Sequence, residues 1–226
     1  MADHELTLAQ EIALLSLRDE EGTHAASMWQ YAMGGAVLAE LVLLQRVAPV
    51  ERKRGKPLLE ASHAGRLGDP ALDHALSMVR DAKRRAPLAS WVSRFANNRE
   101  LRDAVVRGLV HKGILRADEK QILFFFRRRS YPEVDPAPER AVIERLRTAI
   151  FGDDPVVDPR TTTLVALAAP AGLLRVVFDR KELKRRKDRL EALTEGALLG
   201  DATKEAIQAA VVAATTAASV AATAAT

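Results

Sequence analysis

Apolar residues recur at helical spacing along most of the chain. In residues 8–18, Leu8, Ile12 and Leu15 fall on one face. Thr7-Leu8-Ala9-Gln10 opens that run with a capping-box pattern, in which Thr and Gln satisfy each other's backbone N–H, and Gly22 is placed to end it. After Gly34-Gly35, residues 36–47 are apolar nearly all round except Glu40 and Gln45, which predicts a buried central helix closed by Pro49. Residues 50–67 mix Arg52-Lys53-Arg54 with Gly55 and Pro57 and read as an exposed hairpin or loop. Asp69-Pro70 supplies a cap and a first position for a helix running to about residue 85. Pro87 starts the next element, with Trp91 and Phe95. Asn98 then caps a longer helix over residues 99–112, stopped by Gly113.

Behind that helix the period changes. Ile114-Leu115-Arg116 and residues 121–126, separated by turn-like Ala117-Asp118-Glu119, predict a β-hairpin. Pro132, Pro136 and Pro138 make a stiff connector. Helices are then expected over residues 139–151, after the Asp158-Pro159 cap, across residues 179–193, and in the alanine-rich tail from Ala206 to Thr226. The tail is uncharged but is mostly Ala, Val and Thr, without the Leu, Ile and Phe content that favours insertion, so a docked terminal helix is expected. The fold class is mainly α: a single globular helical domain over residues 1–226 with a protruding β-hairpin.

Composition narrows the function classes. A chain of 226 residues can bury a sizeable core without staples. Zero cysteine excludes a disulfide framework, a thiol nucleophile, a cysteine zinc site and an iron–sulfur cluster, and fits a reducing compartment. Residues 1–10 have no basic n-region, so no secretory signal is expected. The net charge of +4 is uneven: residues 51–147 hold 22 Lys and Arg against 13 Asp and Glu. A basic middle points to an anionic partner, whether nucleic acid, anionic membrane or phosphorylated ligand.

No catalytic constellation stands out. Gly55-Lys56-Pro57 lacks the upstream glycine and following Ser/Thr of a phosphate loop. His4, His24, His63, His74 and His111 are scattered without ligand spacing. Asp153-Asp154 and Asp118-Glu119 sit beside turns, where capping and solubility explain them. The expectation is a protein that is not an enzyme, with no metal and no cofactor.

Three features carry chemistry that an anionic partner needs. Arg99 and Arg102, three apart at a helix start, project from neighbouring positions where guanidinium forks and the helix dipole suit a phosphate. The competing explanation is a solvated face with a local Arg99–Asp103 pair. Next, Leu123, Phe124, Phe125 and Phe126 run into Arg127, Arg128 and Arg129. An aromatic tip beside basic residues suits a membrane interface or a nucleic-acid wing; burial against a second protomer is the alternative. Last, the basic run from Arg180 to Arg189 reads as a solvated helix with Glu182–Arg186 and Lys184–Asp188 spacings. Trp29 and Tyr31 fall in a loop-like stretch, where an aromatic can stack on a ligand or join a satellite core contact.

Together these segments resemble the Golgi phosphoprotein 3 family. The matching pieces are Leu6-Thr7-Leu8-Ala9-Gln10-Glu11 with Leu14-Leu15-Ser16-Leu17-Arg18-Asp19, then Gly34-Gly35-Ala36-Val37-Leu38-Ala39-Glu40-Leu41. The strongest is Leu109-Val110-His111-Lys112-Gly113-Ile114-Leu115 leading through Glu119-Lys120-Gln121, with Asp158-Pro159-Arg160 also fitting. The resemblance implies a mostly helical domain with a protruding hairpin. It implies a non-enzymatic membrane adaptor that binds phosphatidylinositol 4-phosphate. Two of the family's lipid-phosphate arginines fall on Arg99 and Arg102, and Trp29 is a further lipid-site contact it brings forward. The hairpin implicated in membrane contact and self-association falls on residues 114–126. Met33 stands where the family has another arginine, just before the Gly-Gly pair. Abundant arginine and alanine point to a bacterial member.

The leading expectation is therefore a cytoplasmic protein, peripherally associated with an anionic phospholipid surface. Arg99 and Arg102 would hold a phosphate, and the hairpin would touch the interface or mediate self-association. The alternative is a winged-helix-like nucleic-acid-binding protein using Arg102, Arg107 and Arg127 to Arg129. Glu100 and Asp103 interrupt that helix's positive face.

Overall fold

The computed structural model describes residues 6–17, 28–62, 65–122, 126–195, 211–212 and 214–216. The capping box at the start of the chain forms as its spacing demands: Thr7 Oγ1 accepts from Gln10 N–H at 3.2 Å, and Gln10 Oε1 accepts from Thr7 N–H at 3.1 Å. It opens α1 (Leu8–Ser16), whose residues are all buried. The helix ends at Ser16, short of the expected residue 18; Gly22 lies outside the described residues.

The largest departure is α2 (Trp29–Leu43). It begins seven residues before the expected start, so Trp29, Tyr31 and the Gly-Gly pair are helical rather than loop. Glycine serves helix–helix approach here, not a break: a Cβ on Gly34 would lie 2.7 Å from Val92 O. Gln45, not Pro49, ends the helix. It takes the left-handed conformation at φ 54° while Gln45 N–H bonds Val42 O and Arg46 N–H bonds Leu41 O, a Schellman arrangement without glycine. Release of the chain there lets β1 (Val47–Val50) pair antiparallel with β2 (Leu58–Ala61), so residues 50–67 contain a hairpin arm.

Asp69 caps α3 (Pro70–Arg80), accepting from Ala71 and Leu72 N–H at 2.9 Å. A loop over residues 81–87 leads to α4 (Leu88–Asn97), and Asn98 caps α5 (Arg99–His111) by accepting from Leu101 N–H at 2.7 Å. Gly113, at φ 73°, ends α5.

The second hairpin is formed by β3 (Asp118–Ile122) and β4 (Phe126–Ser130), with Asp118 opposite Ser130 and Ile122 opposite Phe126. This corrects the expected register. Ile114 and Leu115 are buried in the core, and their stretch pairs not with residues 121–126 but with 132–134: Arg116 N–H donates to Pro132 O and Val134 N–H to Ile114 O. The turn-like residues 117–119 therefore run straight into a strand. Leu123, Phe124 and Phe125 lie outside the described residues. Phe126, Arg127, Arg128 and Arg129 are described as backbone only.

α6 (Ala137–Phe151) follows the proline connector, and Asp158 caps α7 (Pro159–Ala168). The expected helix over residues 179–193 is interrupted. After the short α8 (Leu174–Val177), it splits at Arg186 into α9 (Arg180–Arg185) and α10 (Lys187–Thr194). The Arg186 side chain turns away from Glu182 to donate to Ile150, Phe151 and Gly152 carbonyls and to Asp153, closing the C-terminal end of α6. Of the alanine-rich tail, residues 211–212 and 214–216 are helical, with Val211 and Ala214 buried.

The core is one contiguous cluster centred on α1 and α2, against which α4, α5 and α7 pack. Trp91 and Phe95 of α4 are fully buried within it, their rings 5.7 Å apart. The mainly α fold with projecting β-hairpins agrees with the expectation from sequence.

Candidate functional site

A buried charge cluster ties the helices behind the site together. Glu40 sits in an otherwise apolar stretch of α2, where an unpartnered carboxylate would be costly. Its Oε2 accepts from Leu8 N–H at 2.6 Å and its Oε1 from Arg160 Nη1 at 2.8 Å. Arg160 also donates to Leu6 O, and its Nε lies 3.7 Å from Glu11 Oε1. Arg145 of α6 approaches Glu11 Oε2 at 2.9 Å. Burial pushes the Glu11 carboxyl up from its ordinary value. Arg145 and Arg160 pull it back only in part, and Glu40 adds to the rise. These four residues join α1, α2, α6 and α7. Spacing does not reveal the pairing; the only sequence signal is a lone acid inside an apolar run.

α4 packs against α2, and its C-terminal end meets α5. Arg102 is half-buried and its Nη1 donates to Ala96 O at the C-terminal end of α4. Ala96 is also where a Gly34 side chain would collide, its N 3.0 Å from the added Cβ. Arg102 thus stands at the end of α4 that packs on α2. Arg99, on the first position of α5, is exposed and sits 3.8 Å from Asp103, so the local pair weighed from spacing forms. The two guanidinium groups share one helix face at the positive end of α5, where an anion is favoured. His74 Nε2 approaches Glu100 at 4.0 Å, and Asn98 Nδ2 meets Met78 Sδ at 3.5 Å, which sets the α5 N-terminus against α3.

Trp29 opens α2 and is half-buried against the core. Met33 is fully buried, so the position just before the Gly-Gly pair faces the interior.

Among the described residues, no group of three or more His, Asp or Glu is arranged to hold a metal ion, and no helix is long and apolar enough to cross a membrane. Sequence reasoning missed a cleft between the 81–87 loop and α4, lined by Met78, Asp81, Ala82, Lys83, Arg84, Trp91 and Arg94, in which cations outnumber the one acid. The run Lys83-Arg84-Arg85 was its one available signal.

Residues 8–210 match the family described as Golgi phosphoprotein 3 (GPP34). The chain is also similar to vacuolar protein sorting-associated protein 74 of Eremothecium gossypii, 27% identical over 164 residues, covering 64% of this chain and 49% of that protein. With the protein of the same name from Schizosaccharomyces pombe it is 30% identical over 141 residues, 53% of this chain and 41% of the relative. The chain thus spans about half or less of the length of these curated relatives.

Proposed function

Because the chain belongs to the Golgi phosphoprotein 3 (GPP34) family, we propose that it is a non-enzymatic peripheral membrane protein binding an anionic phospholipid head group. The ligand class is a phosphorylated head group of the kind phosphatidylinositol 4-phosphate presents. The observation that carries this reading is the placement of Arg99 and Arg102 on the first turn of α5, beside the C-terminal end of α4. Arg99 is free to swing from its solvent-exposed pair with Asp103, which is weak in water and screened by salt. Arg102 is held by Ala96 O with its remaining donors available for a phosphate. Trp29, at the start of α2, would flank the bound group.

Met33 contributes no charge from the interior, so capture of the phosphate falls to the arginine pair and recognition is less restricted to one phosphoinositide. The β3–β4 hairpin would bring Leu123, Phe124, Phe125 and Phe126 into the interfacial layer, with Arg127, Arg128 and Arg129 at the head groups. Self-association through the same residues is the other role this reading gives the segment. A cytoplasmic location at a membrane surface follows from this reading.

Flotation with neutral and anionic vesicles over a salt series tests it. Recovery with anionic vesicles alone, falling as salt rises, is expected, and a Phe125→Asp variant should lose recovery without loss of fold. Equal recovery with both vesicle types would sink the reading. So would retention of duplex DNA with no vesicle binding, which would favour the winged-helix alternative.

A further inference from the structure

Two neighbouring segments carry cations that no carboxylate among the described residues neutralises. The first is the outer end of the β1–β2 hairpin. Val50 pairs with Leu58, so residues 51–57 form its tip, and Arg52, Lys53, Arg54 and Lys56 there are all exposed. Gly55, at φ 98°, turns the chain between them.

The second segment is the loop between α3 and α4. Leu59 N–H donates to Ala86 O at 3.0 Å and Leu58 bridges Pro87, which fastens this loop to β2 next to the tip. The nearby acids are taken: Glu60 pairs with Arg85, and Asp81 binds Arg80 through both oxygens at 2.8 and 3.2 Å. Lys83 and Arg84 remain exposed and without a carboxylate partner. They share an open cleft of about 620 Å³ with Arg94, whose guanidinium lies 4.5 Å from the centre of the Trp91 ring. Glu51 is the one acid at the tip. The two segments adjoin along β2 and together carry more cations than acids, and Met78, which lines the cleft, meets Asn98 at the N-terminus of α5.

We propose that this face, formed by the β1–β2 tip and the α3–α4 loop, docks on the surface of an anionic bilayer. It does so through residues other than the Arg99 and Arg102 pair. The inference rests on the membrane reading above but on neither of those arginines. Charge complementarity selects the partner: a lipid surface supplies diffuse negative charge over the whole breadth of the face, and the cations are presented on a projecting arm that can reach it. The tip has no aromatic ring to stack on a base and no Asn or Gln to read one. Val50 beside the tip is exposed, an apolar contact suited to the head-group layer.

Flotation of the full chain with phosphatidylcholine vesicles carrying phosphatidylserine, and no phosphoinositide, tests the proposal. The variant is Arg52→Ala, Lys53→Ala, Arg54→Ala and Lys56→Ala. The control of equal charge change is Arg175→Ala, Arg180→Ala, Lys181→Ala and Lys184→Ala, all exposed on other elements. At low salt the tip variant should bind roughly 1000-fold more weakly than wild type with a shallower salt dependence, because each of the four cations near an anionic surface contributes on the order of 1 kcal/mol. The control should stay within about threefold. Unchanged binding by the tip variant overturns this proposal and leaves the membrane reading standing, as does equal weakening by the control. Failure of wild type to float with any anionic vesicle overturns both. Displacement of wild type from the vesicles by duplex DNA that the tip variant no longer retains assigns the face to nucleic acid and also overturns the proposal.

Discussion

Replacement of Arg160 by alanine probes the buried cluster that holds α1, α2, α6 and α7 in register. The side chain makes a 2.8 Å ion pair with Glu40, a hydrogen bond to Leu6 O, and a 3.7 Å approach to Glu11. Glu11 and Glu40 are each only 3% exposed, so water cannot replace the lost partner. Breaking a buried pair by removing one member costs about 3–5 kcal/mol. For a chain of this size that lowers the melting temperature by roughly 6–20 °C. A pH dependence should accompany the loss. A carboxyl whose folded-state pKa lies above its unfolded value binds more protons when folded, so folding is favoured as pH falls through that range. The Arg160→Ala deficit should therefore shrink between neutral pH and the ordinary carboxylate range as Glu11 becomes neutral. Thermal and urea unfolding of wild type, Arg160→Ala and Glu11→Gln over that range checks this. Glu11→Gln should lose less than half as much, because it removes the charge whose burial is unfavourable. A deficit for Arg160→Ala under about 1 kcal/mol, or one independent of pH, would refute the reasoning.

Two further outcomes follow from single contacts. Gly34→Ala places a Cβ 2.7 Å from Val92 O, a backbone atom that cannot swing aside, so α2 and α4 must separate; calorimetry should show a loss of about 1–3 kcal/mol. Arg186→Ala removes the donor to the carbonyls of Ile150 and Phe151 in α6 and of Gly152 just after it, and hydrogen exchange should quicken across α9 and α10 while α1 and α2 keep their protection.

Much of the fold was legible where one side chain fixes a backbone end. Thr7 with Gln10, Asp69, Asn98 and Asp158 each cap the helix their position announces, because capping is local in sequence. The ends of α2 were not legible. Met28 provides no side-chain cap at its start, and Gln45 adopts the left-handed conformation that glycine normally signals. Gly34-Gly35 has the local pattern of a helix break, because the close approach to α4 that it serves is a tertiary fact. The β3–β4 register is not legible in the sequence, because Ile114 and Leu115 have the apolar pattern of a partner for the following strand, whereas the core holds them and their stretch pairs with residues 132–134.

The candidate site divides in the same way. Arg99 and Arg102 share a face by helical spacing alone, and so does the Arg99–Asp103 pair. The bond from Arg102 to Ala96 O depends on how α5 folds back on α4, and the Glu11–Glu40–Arg145–Arg160 cluster joins residues far apart in the chain. The spacing between Glu182 and Arg186 promised a pair that the break before α10 prevents.

The central claim is that the arginine pair at the start of α5 captures a lipid phosphate. Its most direct test is the affinity of wild type and of Arg99→Ala with Arg102→Ala for vesicles bearing phosphatidylinositol 4-phosphate, beside a control of equal charge change, Arg175→Ala with Lys181→Ala. Two cations at an anionic surface contribute on the order of 2 kcal/mol, so the site variant should bind roughly 30-fold more weakly at low salt. The control should bind within about threefold of wild type. Equal affinities for site variant and control, with wild-type folding retained in both, would contradict the account.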